Sequence, residues 1–238
     1  MLAARGVDVC TEYNVALAIE DYVPCVLALA AFVVLAQAVR HRLPVAYPVA
    51  LLGGLLVSVG GLSKATWKLL VATGCWEQPW LEALLFPCLA VGFSAVGWAV
   101  LSAVRGHRVS PLWFVLFPLG AGVGSAWASI SAGEYANWPL LIAAAVSATF
   151  LGVALSVVAF RNGKPSVGVL FIVYVLGTNI LPPLAARPRQ SLEVQWAEQL
   201  TNSAVQLCFL LGALWLRDHM SRTAAATASD EEQTGVPA

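Results

Sequence analysis

Apolar runs of roughly 18 to 25 residues, the length a helix needs to cross the hydrocarbon core of a bilayer, recur along this chain. They lie near 18–39, 45–73, 79–104, 111–132, 138–160, 165–184 and 191–216. Charged residues make up only 11% of the 238 positions, against roughly a quarter in soluble domains. Together these imply an all-α, polytopic membrane protein: a seven-transmembrane-helix bundle whose first partner is the lipid bilayer. The first twenty residues hold Asp8, Glu12 and Glu20 and no basic segment ahead of a short apolar core, so no cleavable signal peptide is expected.

The connections Arg40 to Leu43, Arg105 to Ser110 and Arg161 to Lys164 are short, which makes consecutive helices antiparallel neighbours. Basic residues are unevenly shared between the two sides. One side has Arg40, Arg42, Arg105, Arg108, Arg161, Lys164, Arg217 and Arg222, the other Arg5, Arg187 and Arg189. The positive-inside rule puts the first set in the cytoplasm, so the N-terminus is expected outside the cell membrane and the C-terminus inside. Asp8, Glu12, Glu77, Glu134 and Glu193 then fall in or near the outer segments. The tail 221–238 has no apolar periodicity and ends in small and acidic residues, which predicts disorder.

The last run carries a polar stripe. Gln195, Glu198, Gln199, Asn202 and Gln206 are spaced by threes and fours, which sets them along one side of a helix. Such a stripe is costly in a membrane unless it faces the bundle interior. The second run offers the complementary charge, with Lys64 and Lys68 four residues apart on one face. Lys68 can snorkel to the surface, whereas Lys64 lies about 15 Å below the end of its helix at Gly74 and needs a partner. Glu198 is the expected partner and Glu82 the alternative. Glu20 and Asp21 mark the outer end of the first span, and Asn179 falls in the outer half of the sixth. Between these outer groups and the cytoplasmic arginines no span contains Asp, Glu, Lys, Arg or His. That favours a pocket open to one side over a conducting pore.

Several chemistries are excluded. His41, His107 and His219 all flank the cytoplasmic ends and form no ligand pair. There is no glycine-rich phosphate loop and no GxSxG elbow. No basic run suggests nucleic acid, and nothing specifies a cofactor. Cys25, Cys88 and Cys208 fall within spans as packing residues. Cys10 and Cys75 both fall outside the membrane, where a disulfide between them is permitted. Trp76, Trp80, Tyr135, Trp138 and Trp196 on one side, with Trp113 and Trp215 on the other, form aromatic belts. Trp67 and Trp98 lie deeper, where core packing is expected and lining a pocket is the alternative. Glycines 53, 54, 60 and 61 of the second run, and 120 and 124 of the fourth, suit close helix approach. Pro24, Pro87 and Pro118 should kink their helices, and Pro182 with Pro183 should end the sixth.

Seven helices with an outer N-terminus and very short loops resemble the layout of microbial rhodopsins. Those proteins hold retinal on a seventh-helix lysine, and the last run here contains none. The helix count also resembles that of the PQ-loop sugar transporters, but no proline-glutamine pair lies within a span. Both resemblances stop at architecture. The residues imply an outward-facing pocket for a small or amphipathic ligand, lined by Lys64, Lys68, Glu82, Asn179, Glu198, Asn202 and Gln206. Lys64 would hold an anionic or carbonyl group, Glu198 would set its charge, and the amides would orient the ligand. A receptor, sensor or binding role follows, with a secondary transporter as the alternative and an intramembrane acid-base enzyme behind it.

Overall fold

The computed structural model describes residue 10 and residues 13–133, 135–185 and 191–234, with the side chains of 182–185 and 223–234 excepted. Arg5, Asp8, Glu12, Glu134, Arg187 and Arg189, which enter the expected charge asymmetry, lie outside the described residues. Among the described residues the chain is helical, with no strand. We number its principal helices α1 (Val15–Arg42), α2 (Pro44–Gly74), α3 (Pro79–Arg105), α4 (Leu112–Ala132), α5 (Trp138–Arg161), α6 (Pro165–Ala185) and α7 (Leu192–Thr234).

Six of these helices, all but α6, are long and apolar enough to cross a membrane. The described side chains of α6 give the shorter apolar stretch Pro165–Leu181, and its helical backbone runs to Ala185, two residues past the Pro182–Pro183 pair. The backbone of α7 stays helical to Thr234, beyond the point where the apolar pattern stops at Arg217. The segment after Arg222 is rich in alanine, the strongest helix former.

The sequence explains where the helices start and break. Asn14 caps α1 by accepting a hydrogen bond from the Leu17 N–H at 2.7 Å, so this helix starts slightly earlier than its apolar run. Pro48, Pro79, Pro139 and Pro165 stand at helix starts, where the missing N–H costs nothing. Inside a helix, a proline ring displaces the carbonyl four residues back. Pro24 accordingly divides α1 into Val15–Glu20 and Tyr22–Arg42, and Pro87 divides α3 into Pro79–Ala83 and Leu85–Arg105. The Ala83 carbonyl released by Pro87 accepts the Tyr135 hydroxyl at 3.3 Å.

Six helices close a ring. α7 packs on α1, α1 on α2, α2 on α3, α3 on α5, α5 on α6, and α6 on α7. α4 lies outside this ring, against α3 and α5. Only 11% of its apolar stretch is buried, against 50% for α1, and Trp127 and Ile130 are 73% and 80% exposed. Such a surface suits lipid rather than water.

The glycines of α2 form two seams. A Cβ on Gly53 would lie 2.8 Å from the Gly92 carbonyl oxygen, and one on Gly92 would lie 2.6 Å from that of Gly53. Backbone meets backbone here, so neither helix can admit a side chain. Gly54 and Gly61 face α1, at Phe32 and Cys25. Gly120 behaves differently from the sequence expectation. Nothing lies within 4 Å of a Cβ placed there, and the nearest such atom at Gly124 is Pro139 at 3.7 Å. With α4 outside the ring, Gly120 borders an apolar groove of about 440 Å³ beside Phe117, Trp138 and Ile142.

Serines and one tryptophan fasten α4 at both ends. Trp98 Nε1 donates to the Val109 carbonyl at 2.9 Å while Ser102 Oγ accepts the Val109 N–H at 3.2 Å. Ser125 Oγ donates to the Ala136 carbonyl at 2.5 Å while Ser129 Oγ accepts the Ala136 N–H at 2.9 Å. In each case two side chains four residues apart hold both polar groups of one loop residue, so Trp98 anchors a loop.

The ring centre is filled. Phe32 of α1 meets Phe93 of α3 and Phe209 of α7 edge-on, with centroids 5.9 and 5.2 Å apart. Tyr174 of α6 stacks on Phe209 at 4.4 Å, and Phe171 meets Phe209 at 6.2 Å. These rings belong to one buried apolar cluster.

Candidate functional site: the break in the first helix

The α1 break brings two adjacent acids into the bundle. Asp21 forms the turn between the two pieces of α1, about 9 Å along from Val15 at helical rise. Successive helical residues diverge by about 100°, so Glu20 and Asp21 reach different neighbours. Lys68 Nζ of α2 lies 2.5 Å from Asp21 Oδ2, with the two side chains only 14% and 10% exposed. Gln199 Nε2 of α7 donates to Asp21 Oδ1. One turn further along α7, Ser203 Oγ donates to Glu20 Oε1 at 2.7 Å. The Tyr22 hydroxyl and Thr66 Oγ1 share a hydrogen bond of 2.9 Å between α1 and α2.

Tyr13 closes one side. Its ring centroid is 5.4 Å from Lys68 Nζ, within cation–π range, and it stands edge-on to the fully buried Trp67 at 5.9 Å. Three residues before Tyr13, Cys10 is joined to Cys75 with Cα atoms 5.1 Å apart, inside the span usual for a disulfide. Cys75 ends α2 at φ 54°, a left-handed position at which glycine is usual. Glu77 shares this neighbourhood within 4.8 Å, but sulfurs joined to each other are not thiolate ligands for a metal.

Four buried polar atoms here make no hydrogen bond among the described residues: Asp21 Oδ2, which the Lys68 ammonium holds, and Glu20 Oε2, Gln195 Oε1 and Trp67 Nε1, which are unmet. Each unmet group costs about 1–3 kcal/mol in a dry interior.

The sequence-selected residues distribute unevenly. Lys68 is at the centre, and it turns inward to Asp21 instead of snorkelling outward, because the early start of α1 carries that acid below the rim. Lys64 is half-buried one turn deeper on α2, and Glu198, Asn202 and Gln206 are half-buried on α7. Glu82 lies at the α3 break, where its charge, second to burial, pushes the Tyr135 phenol above its ordinary range. Asn179 is exposed and donates to Thr149 Oγ1 at 2.8 Å across the α5–α6 seam, so it is not brought to the α1 break. Glu20 and Asp21, which the sequence placed only at the outer end of the first span, enter the site itself, and Ser203 and Tyr13 are the contributors that the apolar runs concealed. Two signals were present: a proline four residues after Glu20, and an asparagine placed to cap the helix at 14.

No family model, curated protein or solved structure matches this chain.

Proposed function

We propose that the chain is a seven-helix protein of the cell membrane, with its N-terminus outside, whose outer half holds a polar pocket for a small or amphipathic ligand in a receptor, sensor or binding role. The observation that carries this reading is the Asp21–Lys68 pair, two opposite charges held inside the bundle with a glutamine of α7 on the same carboxylate. Ionisable groups at membrane depth are expensive and mark ligand and ion paths. Lys64 and Glu198 extend the pocket one turn inward, Asn202 and Gln206 continue its α7 wall, and Glu82 lies toward its rim. The aromatic cluster about Phe209 supports a pocket closed on the cytoplasmic side. Basic residues at the C-terminal ends of α1, α3 and α5, namely Arg40, Arg105 and Arg161, support the orientation.

Native mass spectrometry with an absorption spectrum, on protein purified in mild detergent, tests the reading. A bound small molecule is expected, and its occupancy should change in Lys64→Met and in Lys68→Met while both variants stay monodisperse. An occupant bound to the same extent by both variants, or an empty wild-type protein, would count against the pocket.

One observation favours a secondary transporter using the same site. Both α1 and α3 are broken, and discontinuous helices commonly frame transport sites. Uptake into proteoliposomes that is lost in Glu198→Gln would select this reading.

A further inference from the structure

Building on the pocket reading above, we infer that the ligand is a cationic amine that donates an N–H to Glu20 Oε2. The Lys68 ammonium has Asp21 at 2.5 Å, so the lysine most central to the site already has its counter-charge. The Glu20 carboxylate has only one oxygen occupied, by Ser203, and its other oxygen is buried with no donor.

A second unmet acceptor, Gln195 Oε1, belongs to a residue only 8% exposed. Gln195 lies on the same face of α7 as Gln199 and Ser203, at steps of four. Of the unmet atoms here two are acceptors and one, Trp67 Nε1, is a donor, so the balance calls for a ligand that donates. An anion would instead meet Glu20 and Asp21 in a dry setting, where like charges repel strongly.

Net charge points the same way. Taken at formal charge, Glu20 and Asp21 against Lys68 leave one negative charge, and including Lys64 and Glu198 leaves that balance unchanged. The Tyr13 ring already takes an ammonium on its face, the contact an amine ligand also favours. The ligand is therefore opposite in sign to the one expected from the lysines alone.

Thermal unfolding of the full chain in detergent, followed at equal ionic strength in four salts, tests this. Methylammonium chloride should raise the unfolding temperature above its value in sodium chloride. Tetramethylammonium chloride, which has no N–H, and sodium acetate should not. Glu20→Gln keeps the size of the side chain and the contact to Ser203, and should weaken the methylammonium half-saturation by about tenfold or more. Gln195→Leu, which leaves the ion pair untouched, should weaken it also and serves if Glu20→Gln does not fold. An equal rise in sodium chloride, or an unchanged response in both variants, would overturn the inference. A response to acetate and not to methylammonium would overturn the sign of the ligand while leaving the pocket standing. No response to any salt, together with an empty protein in native mass spectrometry, would remove both.

Discussion

Asp21 meets two neighbours from different helices, a lysine of α2 and an amide of α7, so its removal has a cost that a surface acid would not. Asp21→Asn leaves the Lys68 ammonium mostly buried beside a neutral group. Breaking such a pair costs about 3–5 kcal/mol, while replacing both members by neutral groups of similar size costs far less. Asp21→Asn should therefore lower the unfolding midpoint in detergent sharply, and Asp21→Asn with Lys68→Met should recover much of the loss. A double variant as unstable as the sum of the single changes would show that the pair is not coupled. The glycines give a second contrast at this scale. Gly92→Ala places a methyl group against the Gly53 carbonyl and Val57 and should cost about 1–3 kcal/mol. Gly120→Ala adds a methyl group where nothing lies within 4 Å and should be neutral, or stabilising by up to about 1 kcal/mol. The same denaturation series reads both.

At the scale of elements, the break in α1 follows from Pro24, and its depth follows from Asn14. A helix capped at 14 carries the break inward, and with it the two acids. The short apolar stretch before the break is held from outside as well, by the Cys10–Cys75 link. Mass analysis of denatured protein should find three alkylated thiols without reductant, at Cys25, Cys88 and Cys208, and five after reduction. Five without reductant would remove the link. With the two cysteines 65 positions apart, the chain-entropy model sets a ceiling of about 4 kcal/mol on its contribution. Helices already inserted in the bilayer lower that figure, since the unfolded reference is not a free coil. The doubled contacts at Val109 and Ala136 explain how α4 stays attached with so little of its surface buried.

For the whole molecule, orientation is the property that decides which side of the membrane would see the proposed pocket. With an outer N-terminus, Ser191→Cys should react with an impermeant maleimide on intact cells, and Ser110→Cys only after lysis. The reverse pattern would put the pocket on the cytoplasmic side. Membrane class, the approximate helix spans, the breaks at Pro24 and Pro87 and the close approach of Gly53 were legible in the amino-acid order. Each depends on hydropathy or spacing along a single helix, and those are properties of a linear pattern. The partner of Lys68, the displacement of Asn179 to the α5–α6 seam and the exclusion of α4 from the ring were decided only by tertiary structure. These depend on the order of helices around the ring and on the rotation of each about its own axis, and a stripe of residues does not state which neighbour it will face.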